Sequence, residues 1–230
     1  PDVFFVPEGD FSTFAQINAL KNLNDLIKED DSFEPEAFYK TAYEYGRFGG
    51  KQYALPFECA PNMMFVNKTI LDGEKIDLPA EDWTWEDFLE YCIRLTDPAR
   101  GTYGVQLGKG QQESWYWVPF LWSAGGEVME YDDKTDIWSV VFDSKEAVTA
   151  LDYYLRLTTE RWVDHNNVTR YGYASKESTG YQKWELGQVG FMPAYLNERI
   201  FSTINPDLVG MVPVPLGYPD ENGVRHRGSE

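Results

Sequence analysis

The sequence predicts an α/β fold built on a largely parallel β-sheet. Short apolar runs rich in β-branched and aromatic residues alternate with segments whose apolar residues recur at helical spacing. The 230 residues, 43% of them hydrophobic and 25% charged, are enough for a sizeable core in one large unit or in two compact lobes. No apolar run reaches the length of about eighteen residues that a membrane-spanning helix needs.

The N-terminal part of the chain predicts a strand followed by two helices. Residues 3–6 form an apolar run typical of a buried strand, and a polar turn follows at Glu8-Gly9-Asp10. Helical spacing then extends over residues 11–27 and, in a shorter stretch, over residues 38–45. Gly49-Gly50 predicts a tight turn after the second helix.

Residues 62–67 predict a second strand, and capping signals mark two of the helices that follow. Thr84 and Asp87 have the spacing of a capping box, and Ser144 is a favourable cap for a later helix. The apolar residues that fall mainly on one face of this later helix, and so predict its buried side, are Val148, Leu151, Tyr154, Leu155 and Leu157. The other predicted strands are 103–107, 138–142, 189–192 and 209–214, and the other predicted helices are 85–95, 114–123 and 181–186.

The charge balance excludes several classes of partner. With 20 basic and 38 acidic side chains the net charge is −18, whereas affinity for nucleic acid depends on basic groups that neutralise phosphates. Binding to anionic membrane surfaces is disfavoured for the same reason. We therefore expect no nucleic-acid or membrane-surface partner for this segment.

Cofactor and metal sites are not predicted. Cys59 and Cys92 are the two cysteines and His165 and His226 the two histidines, which is too few in suitable spacing for a zinc site. The cysteines are expected to be unpaired, buried thiols. Neither a phosphate-binding glycine motif nor a G-x-S-x-G nucleophile motif occurs, so nucleotide cofactors and serine hydrolysis are both disfavoured.

Two carboxylates and a cluster of aromatic residues are candidates for a binding site. The sequence places Asp10 in the turn after the strand predicted at residues 3–6 and Glu58 just past another strand end. The two carboxylates could therefore converge at the carboxyl edge of a parallel sheet, where such folds bind ligands. They could equally be solvated loop charges. The aromatic residues of segment 115–122 could be core, or could stack on the apolar faces of sugar rings.

The order of several motifs resembles the extracellular solute-binding proteins of ABC importers, in the sugar-binding branch that includes maltose-binding proteins. The segments that carry the resemblance are Pro1-Asp2-Val3-Phe4-Phe5-Val6 with Gly9-Asp10, Gly50-Lys51-Gln52-Tyr53-Ala54-Leu55-Pro56-Phe57, Phe65-Val66-Asn67-Lys68, Trp83-Thr84-Trp85-Glu86-Asp87-Phe88, Phe120-Leu121-Trp122-Ser123-Ala124-Gly125-Gly126, Phe142-Asp143-Ser144 and Gly187-Gln188-Val189-Gly190-Phe191-Met192. Together they extend over essentially the whole chain. Two departures are Pro193-Ala194-Tyr195, where the family often has Gly-Pro-Trp, and the absence of an Asp-Arg pair at Glu8-Gly9-Asp10.

The resemblance implies a two-lobed, periplasmic-binding-protein-like fold of class II, truncated here at both ends. Residues 1–57 would form part of the first lobe, residues 58–222 most of the second, and residues 223–230 the start of the return to the first. Ligand would bind in the interlobe cleft. The implied ligand contacts are hydrogen bonds from Asp10, Glu58 and Asn62 and stacking on Trp117, Trp122 and Tyr195, whereas Trp115 is expected in the core.

The implied function is binding of a polar solute, expected to be a mono- or oligosaccharide, and its delivery to the permease subunits of an ABC importer without catalysis or cofactor. The protein would be an extracellular or periplasmic monomer, lipid-anchored through an N-terminal segment absent from this chain. Two other functions remain open from the residues alone. One is a secreted glycoside hydrolase that uses Glu58 and Asp10, and the other is a non-catalytic carbohydrate-adhesion module.

Overall fold

The computed structural model describes residues 2–107, 113–132, 134–135, 137–175, 182–195, 198–202 and 204–228. The chain divides into two compact units, Pro1–Cys59 and Ala60–Glu230. The first is small and mainly helical, and the second contains the principal β-sheet.

The first unit consists of short helices and one hairpin. Its elements are α1 (Glu8–Gln16), α2 (Asn24–Glu29), α3 (Lys40–Tyr45), β1 (Arg47–Phe48) and β2 (Lys51–Gln52). Gly49 and Gly50 form the predicted turn between β1 and β2, with φ values of 55° and 76° that favour glycine. The buried amide of Gln52 donates to the carbonyl oxygens of Tyr43 and Ala54 and so joins α3 to the chain that follows β2.

The predicted strand at residues 3–6 is wrong. Val3 and Phe5 are 88% and 77% exposed, and within the described residues this segment pairs with no strand. A strand is stable only where neighbouring strands satisfy its backbone groups. The two strands described in this unit, β1 and β2, pair with each other and leave residues 3–6 without a partner.

The helix predicted over residues 11–27 is two helices. α1 ends at Gln16, and Asn18 has a φ of 57°, which a right-handed helix cannot contain. α2 begins six residues later, at Asn24. The shorter predicted helix, at residues 38–45, is confirmed as α3.

The second unit alternates strands and helices around a five-stranded sheet with the order β11-β3-β10-β4-β9. Four of its strands run in the same direction, whereas β3 is antiparallel to both of its neighbours. Two separate hairpins, β5–β6 and β7–β8, lie outside this sheet. The elements of the unit are β3 (Asn62–Asn67), α4 (Lys68–Gly73), α5 (Trp85–Leu95), β4 (Tyr103–Gln106), α6 (Glu113–Ser123), β5 (Met129–Asp132), β6 (Ile137–Val140), α7 (Lys145–Thr159), β7 (Arg161–Val163), β8 (Thr169–Tyr171), β9 (Ala174–Ser175), α8 (Gln182–Glu185), β10 (Val189–Tyr195) and β11 (Val209–Val212).

Local capping fixes where three of these helices begin. Thr84 and Asp87 form the predicted capping box at the start of α5, in which each side chain bonds to the backbone N–H of the other residue. Ser144 caps α7, as predicted. Asn67 is the last residue of β3, and its side chain caps the start of α4. The strand and the helix therefore follow one another without a loop.

The buried face of α7 differs from the prediction. Val148, Leu151 and Leu155 are 54%, 45% and 44% exposed. The buried residues are Ala147, Ala150, Tyr153 and Leu157. The two alanines suit a close approach to α6, and the Tyr153 ring stacks on Trp85 at 4.3 Å between centroids.

Both faces of the sheet are covered by apolar side chains. One cluster joins β3, β4 and β10 to α5, α6 and α7, and it contains Trp85, Phe88 and Phe120. A second, smaller cluster is formed by other side chains of β3 and β10 together with α8, and it contains Phe65, Trp184 and Met192. This burial is expected for a sheet with most strands parallel.

The C-terminal segment 213–228 is bound back to the start of α5. The backbone N–H of Trp85 donates to the carbonyl oxygen of Leu216, and Nε1 of Trp83 donates to that of Pro213. Arg225 forms a bidentate ion pair with Glu86 at 3.0 Å for each contact. The segment therefore completes the second unit.

Both cysteines are free thiols, but their environments differ from the prediction in one respect. Cys92 is buried, as expected, and burial raises the pKa of its thiol well above the ordinary value. Cys59 is exposed. Among the described residues, no helix is both long and apolar enough to cross a membrane.

Candidate functional site

The most suitable place for a ligand in the second unit is the edge of the sheet where β4, β9, β10 and β11 end and β3 begins. We call it the carboxyl edge; it is defined by Gln106, Ser175, Tyr195, Val212 and Asn62. Open α/β sheets bind ligands at this edge, at the point where successive connections leave in opposite directions. After β4 the chain re-enters the sheet at β9, on the side of β4 away from β10. After β10 it re-enters at β11, on the side of β10 away from β4. The adjacent strands β4 and β10 therefore flank that point.

Two predicted ligand residues are partners at this edge. Asn62 and Tyr195 lie opposite each other in the β3–β10 ladder, at the first residue of one strand and the last of the other. Tyr195 is half exposed and Asn62 is half-buried. An amide and a phenol on neighbouring strands offer a donor and acceptor pair beside an aromatic face.

Gln106, which the sequence analysis did not select, ends β4 at the same edge. Its side chain is 2% exposed, and Nε2 donates to the carbonyl oxygen of Leu107 at 3.1 Å. Oε1 is buried and has no hydrogen-bond partner among the described residues. Gln106 lies beside Ser175 of β9 in the register, and Ser175 is also buried. The sequence signal was a glutamine inside an apolar strand, which implies that a polar group is buried there for a reason.

The two predicted aromatic residues of α6 are both half-buried. Nε1 of Trp122 donates to the Glu127 carboxylate at 2.5 Å. Trp117 packs against the main core and its ring lies 4.9 Å from that of Phe142. Its Nε1 is buried, with no partner in the described part of the chain. The side chain of Trp115, expected in the core, lies outside the described residues.

The two predicted carboxylates belong to the first unit, and the structural premise for their convergence is wrong. Asp10 lies within α1 and Glu58 in the irregular segment after β2, and both are exposed. Neither follows a strand of a parallel sheet, because residues 3–6 form no strand and β1 and β2 are an antiparallel hairpin. Next to Glu58, the exposed Phe57 ring packs edge-on against the exposed Phe5 ring at 4.8 Å.

One perturbed carboxylate, that of Asp164, lies outside the five-stranded sheet. In the β7–β8 hairpin, Asp164 accepts hydrogen bonds from the backbone N–H groups of Val168 and Asn166 and from Arg170. The bond from Val168 contributes most to a pKa below the ordinary value. Within the described residues, no group of three or more histidine, cysteine or acidic side chains is arranged to hold a metal ion.

A cleft of about 300 Å³ lies beside α5 in the second unit. Trp83, Tyr91, Asp82 and Asp87 contribute to its walls. The ring of Trp83 is buried and packs against Phe191, and the hydroxyl of Tyr91 donates to a backbone oxygen. These aromatic groups are thus committed to packing, and the cleft offers mainly carboxylates.

Comparison with known proteins shows the family. Residues 1–229 match the family described as bacterial extracellular solute-binding protein. The chain belongs to this family. This confirms the predicted resemblance, and the α/β fold predicted from it is the fold of the solved structures that the chain matches.

This solute-binding protein has relatives of modest sequence identity. It is 29% identical to the mannitol-binding protein of Pseudomonas aeruginosa over 136 residues, which are 58% of this chain and 28% of that protein. The TM-score is 0.71 with an ABC transporter solute-binding protein from Thermotoga lettingae bound to α-D-tagatose, at 19% identity over 90% of this chain and 52% of that one. With maltose-bound MalE3 of T. maritima it is 0.69, at 22% identity over 94% and 51%. The chain thus spans about half the length of these two structures.

Proposed function

We propose that the protein containing this chain binds a mono- or oligosaccharide outside the cell and delivers it to an ABC importer. The observation that carries the proposal is the match of the solute-binding family to residues 1–229. Several similar proteins are named for, or solved with, a sugar or polyol, which supports this choice of solute class. Binding without bond cleavage is the role we assign to the chain.

We propose the six predicted side chains as ligand contacts. Asn62 and Tyr195 have the strongest physical support, because they are partners at the carboxyl edge beside the reversal point of the sheet. Exposed rings such as Tyr195 can cover the C–H face of a sugar, while carboxylates and amides bond to its hydroxyls. The remaining proposed contacts are Asp10, Glu58, Trp117 and Trp122.

We also propose that residues 1–57 belong to one lobe, residues 58–222 to the other, and residues 223–230 to the return crossing. The two compact units, which divide after Cys59, support the first boundary. The interactions of segment 213–228 with α5 support assigning most of the C-terminal part to the second lobe. A monomer, lipid-anchored at the cell surface and partnered by permease subunits, completes the proposal.

Isothermal titration calorimetry of the full-length gene product tests the function. Maltose, D-tagatose and D-mannitol are the probes, and we expect at least one to bind. Replacing Tyr195 by Ala should weaken that binding about tenfold, which corresponds to about 1.4 kcal/mol and is within the range of an aromatic contact.

The matched control is Tyr171→Ala. Tyr171 lies in the β7–β8 hairpin and is 51% exposed, against 50% for Tyr195, so the two substitutions remove the same group from equally exposed positions. The control should bind like the wild type. Absence of heat for all three probes would contradict the proposed function, and equal losses in both variants would remove Tyr195 from the site.

A further inference from the structure

Among the buried polar side chains that the structure describes, Gln106 is distinguished by an acceptor atom that is itself buried and receives no hydrogen bond. Gln52 donates to two carbonyl oxygens, Asn67 accepts two backbone N–H groups, and Thr96 both donates to Cys92 and accepts from the N–H of residue 104. Oε1 of Gln106, by contrast, is buried without a partner in the described part of the chain. A buried acceptor without a donor is costly, so such groups need an explanation.

The position of Gln106 indicates what could supply the donor. Gln106 is the last residue of β4, one of the two strands that flank the reversal point of the sheet. Phe191 of β10 is in register with Val105, so Gln106 lies level with Met192. β10 continues for three more residues to Tyr195, roughly 10 Å along the strand. Gln106 therefore lies further inside the sheet than Tyr195, the last residue of β10.

The other two buried side-chain polar atoms without a partner in the described chain are indole nitrogens. Trp85 is fully buried under stacked and edge-on rings in the main core. Trp117 lies on α6 and is already a proposed contact. Gln106 is the acceptor among them, and its neighbour in the register, Ser175, adds a second buried polar side chain at the same edge.

We propose that Oε1 of Gln106 accepts a hydrogen bond from a ligand hydroxyl. It would thereby select solutes that place a hydroxyl donor at the end of β4. This inference rests on the proposed function. The ligand class is a polyol or a sugar with a free hydroxyl at that point. The orientation of the amide, with Nε2 directed at Leu107, leaves the oxygen for the ligand.

The test measures binding and stability of Gln106→Met in the full-length gene product. Methionine keeps the volume and removes the acceptor, so affinity for the best of maltose, D-tagatose and D-mannitol should fall about tenfold or more. Without ligand, the melting temperature should fall less than in the control variant, because the lost acceptor was unpaired and the substitution removes only the bond from Nε2 to Leu107. Gln52→Met is the matched control, and it should lower the melting temperature because it removes two donated hydrogen bonds.

Monodeoxy analogues of the bound sugar identify the hydroxyl and do not depend on the variant. One analogue should bind the wild type more weakly, and that difference should disappear in Gln106→Met. Equal affinity of all analogues for the wild type would overturn the inference, as would unchanged binding by the variant, whatever its melting temperature. Failure of the wild type to bind any probe would refute the proposed function and this inference together, whereas the preceding outcomes refute the inference alone.

Discussion

The close approach of α5 to β4 depends on Gly104. A Cβ atom at this position of β4 would lie 2.4 Å from Cα of Cys92 and 2.7 Å from its Cβ and carbonyl oxygen, all on α5. Two of these three atoms are backbone, so no side-chain rotation can relieve the contact. Replacing Gly104 by Ala therefore requires α5 to move away from the strand.

The size of that movement sets the expected cost. Carbon atoms in contact are about 3.5–4.0 Å apart, so α5 must shift by about 1 Å. Overpacking costs about 1–3 kcal/mol, and we expect the upper end, about 3 kcal/mol, because a whole helix must move. For a protein of this size that loss lowers the melting temperature by roughly 6–12 °C.

Urea denaturation followed by circular dichroism measures the free energy of unfolding. The control is Gly73→Ala, at the end of α4, where a Cβ would meet no atom within 4 Å. Alanine there should be neutral or stabilise by up to about 1 kcal/mol. If Gly104→Ala were as stable as the wild type, the close packing of α5 on β4 would be wrong.

Two further predictions concern single side chains. The backbone N–H of Val168 and the guanidinium of Arg170 hold the pKa of Asp164 below its ordinary value. The ionised Asp164 therefore stabilises the folded protein fully above the unfolded-state pKa of about 4, and this contribution is lost as the pH falls through the lower folded-state pKa. Asp164→Asn should therefore be less stable than the wild type at pH 7, with the difference shrinking toward about pH 3; a difference that does not change with pH would contradict the assignment. A thiol reagent should modify Cys59 in the folded protein and Cys92 only after unfolding, because Cys92 is buried and its thiol pKa is raised. Mass spectrometry that finds Cys92 modified under native conditions would refute this.

Local signals explain which elements could be predicted from the sequence. The strand at Asn62–Asn67 and the capping box at Thr84 were both predicted, and the structure confirms them. Each depends on residues next to one another in the chain. The family itself was also predictable, since its motifs keep their order along the sequence.

Other features depend on what a segment packs against. The side of α7 that is buried is set by α6 and Trp85, which periodicity cannot reveal because apolar residues occupy both sides of α7. Residues 3–6 have strand-like composition and still form no strand, since no partner pairs with them in the described chain. At the site, Asn62 and Tyr195 were chosen from the resemblance. Gln106 was missed because its sequence signal, a glutamine inside an apolar strand, does not reveal that the side-chain oxygen is buried and unpaired.

The order in which the ribosome makes the strands differs sharply from their order in the sheet. β3 is synthesised first, yet it lies between β10 and β11, which are synthesised last. Trp83 must likewise wait for Pro213, 130 positions later, to accept its indole hydrogen bond. At about 5–20 residues per second the delay is on the order of ten seconds. Throughout that time the nascent chain carries an apolar strand with neither neighbour, so the half of the sheet around β3 forms only after β10 and β11 are made, whereas β4 and β9 can pair before β10 is made.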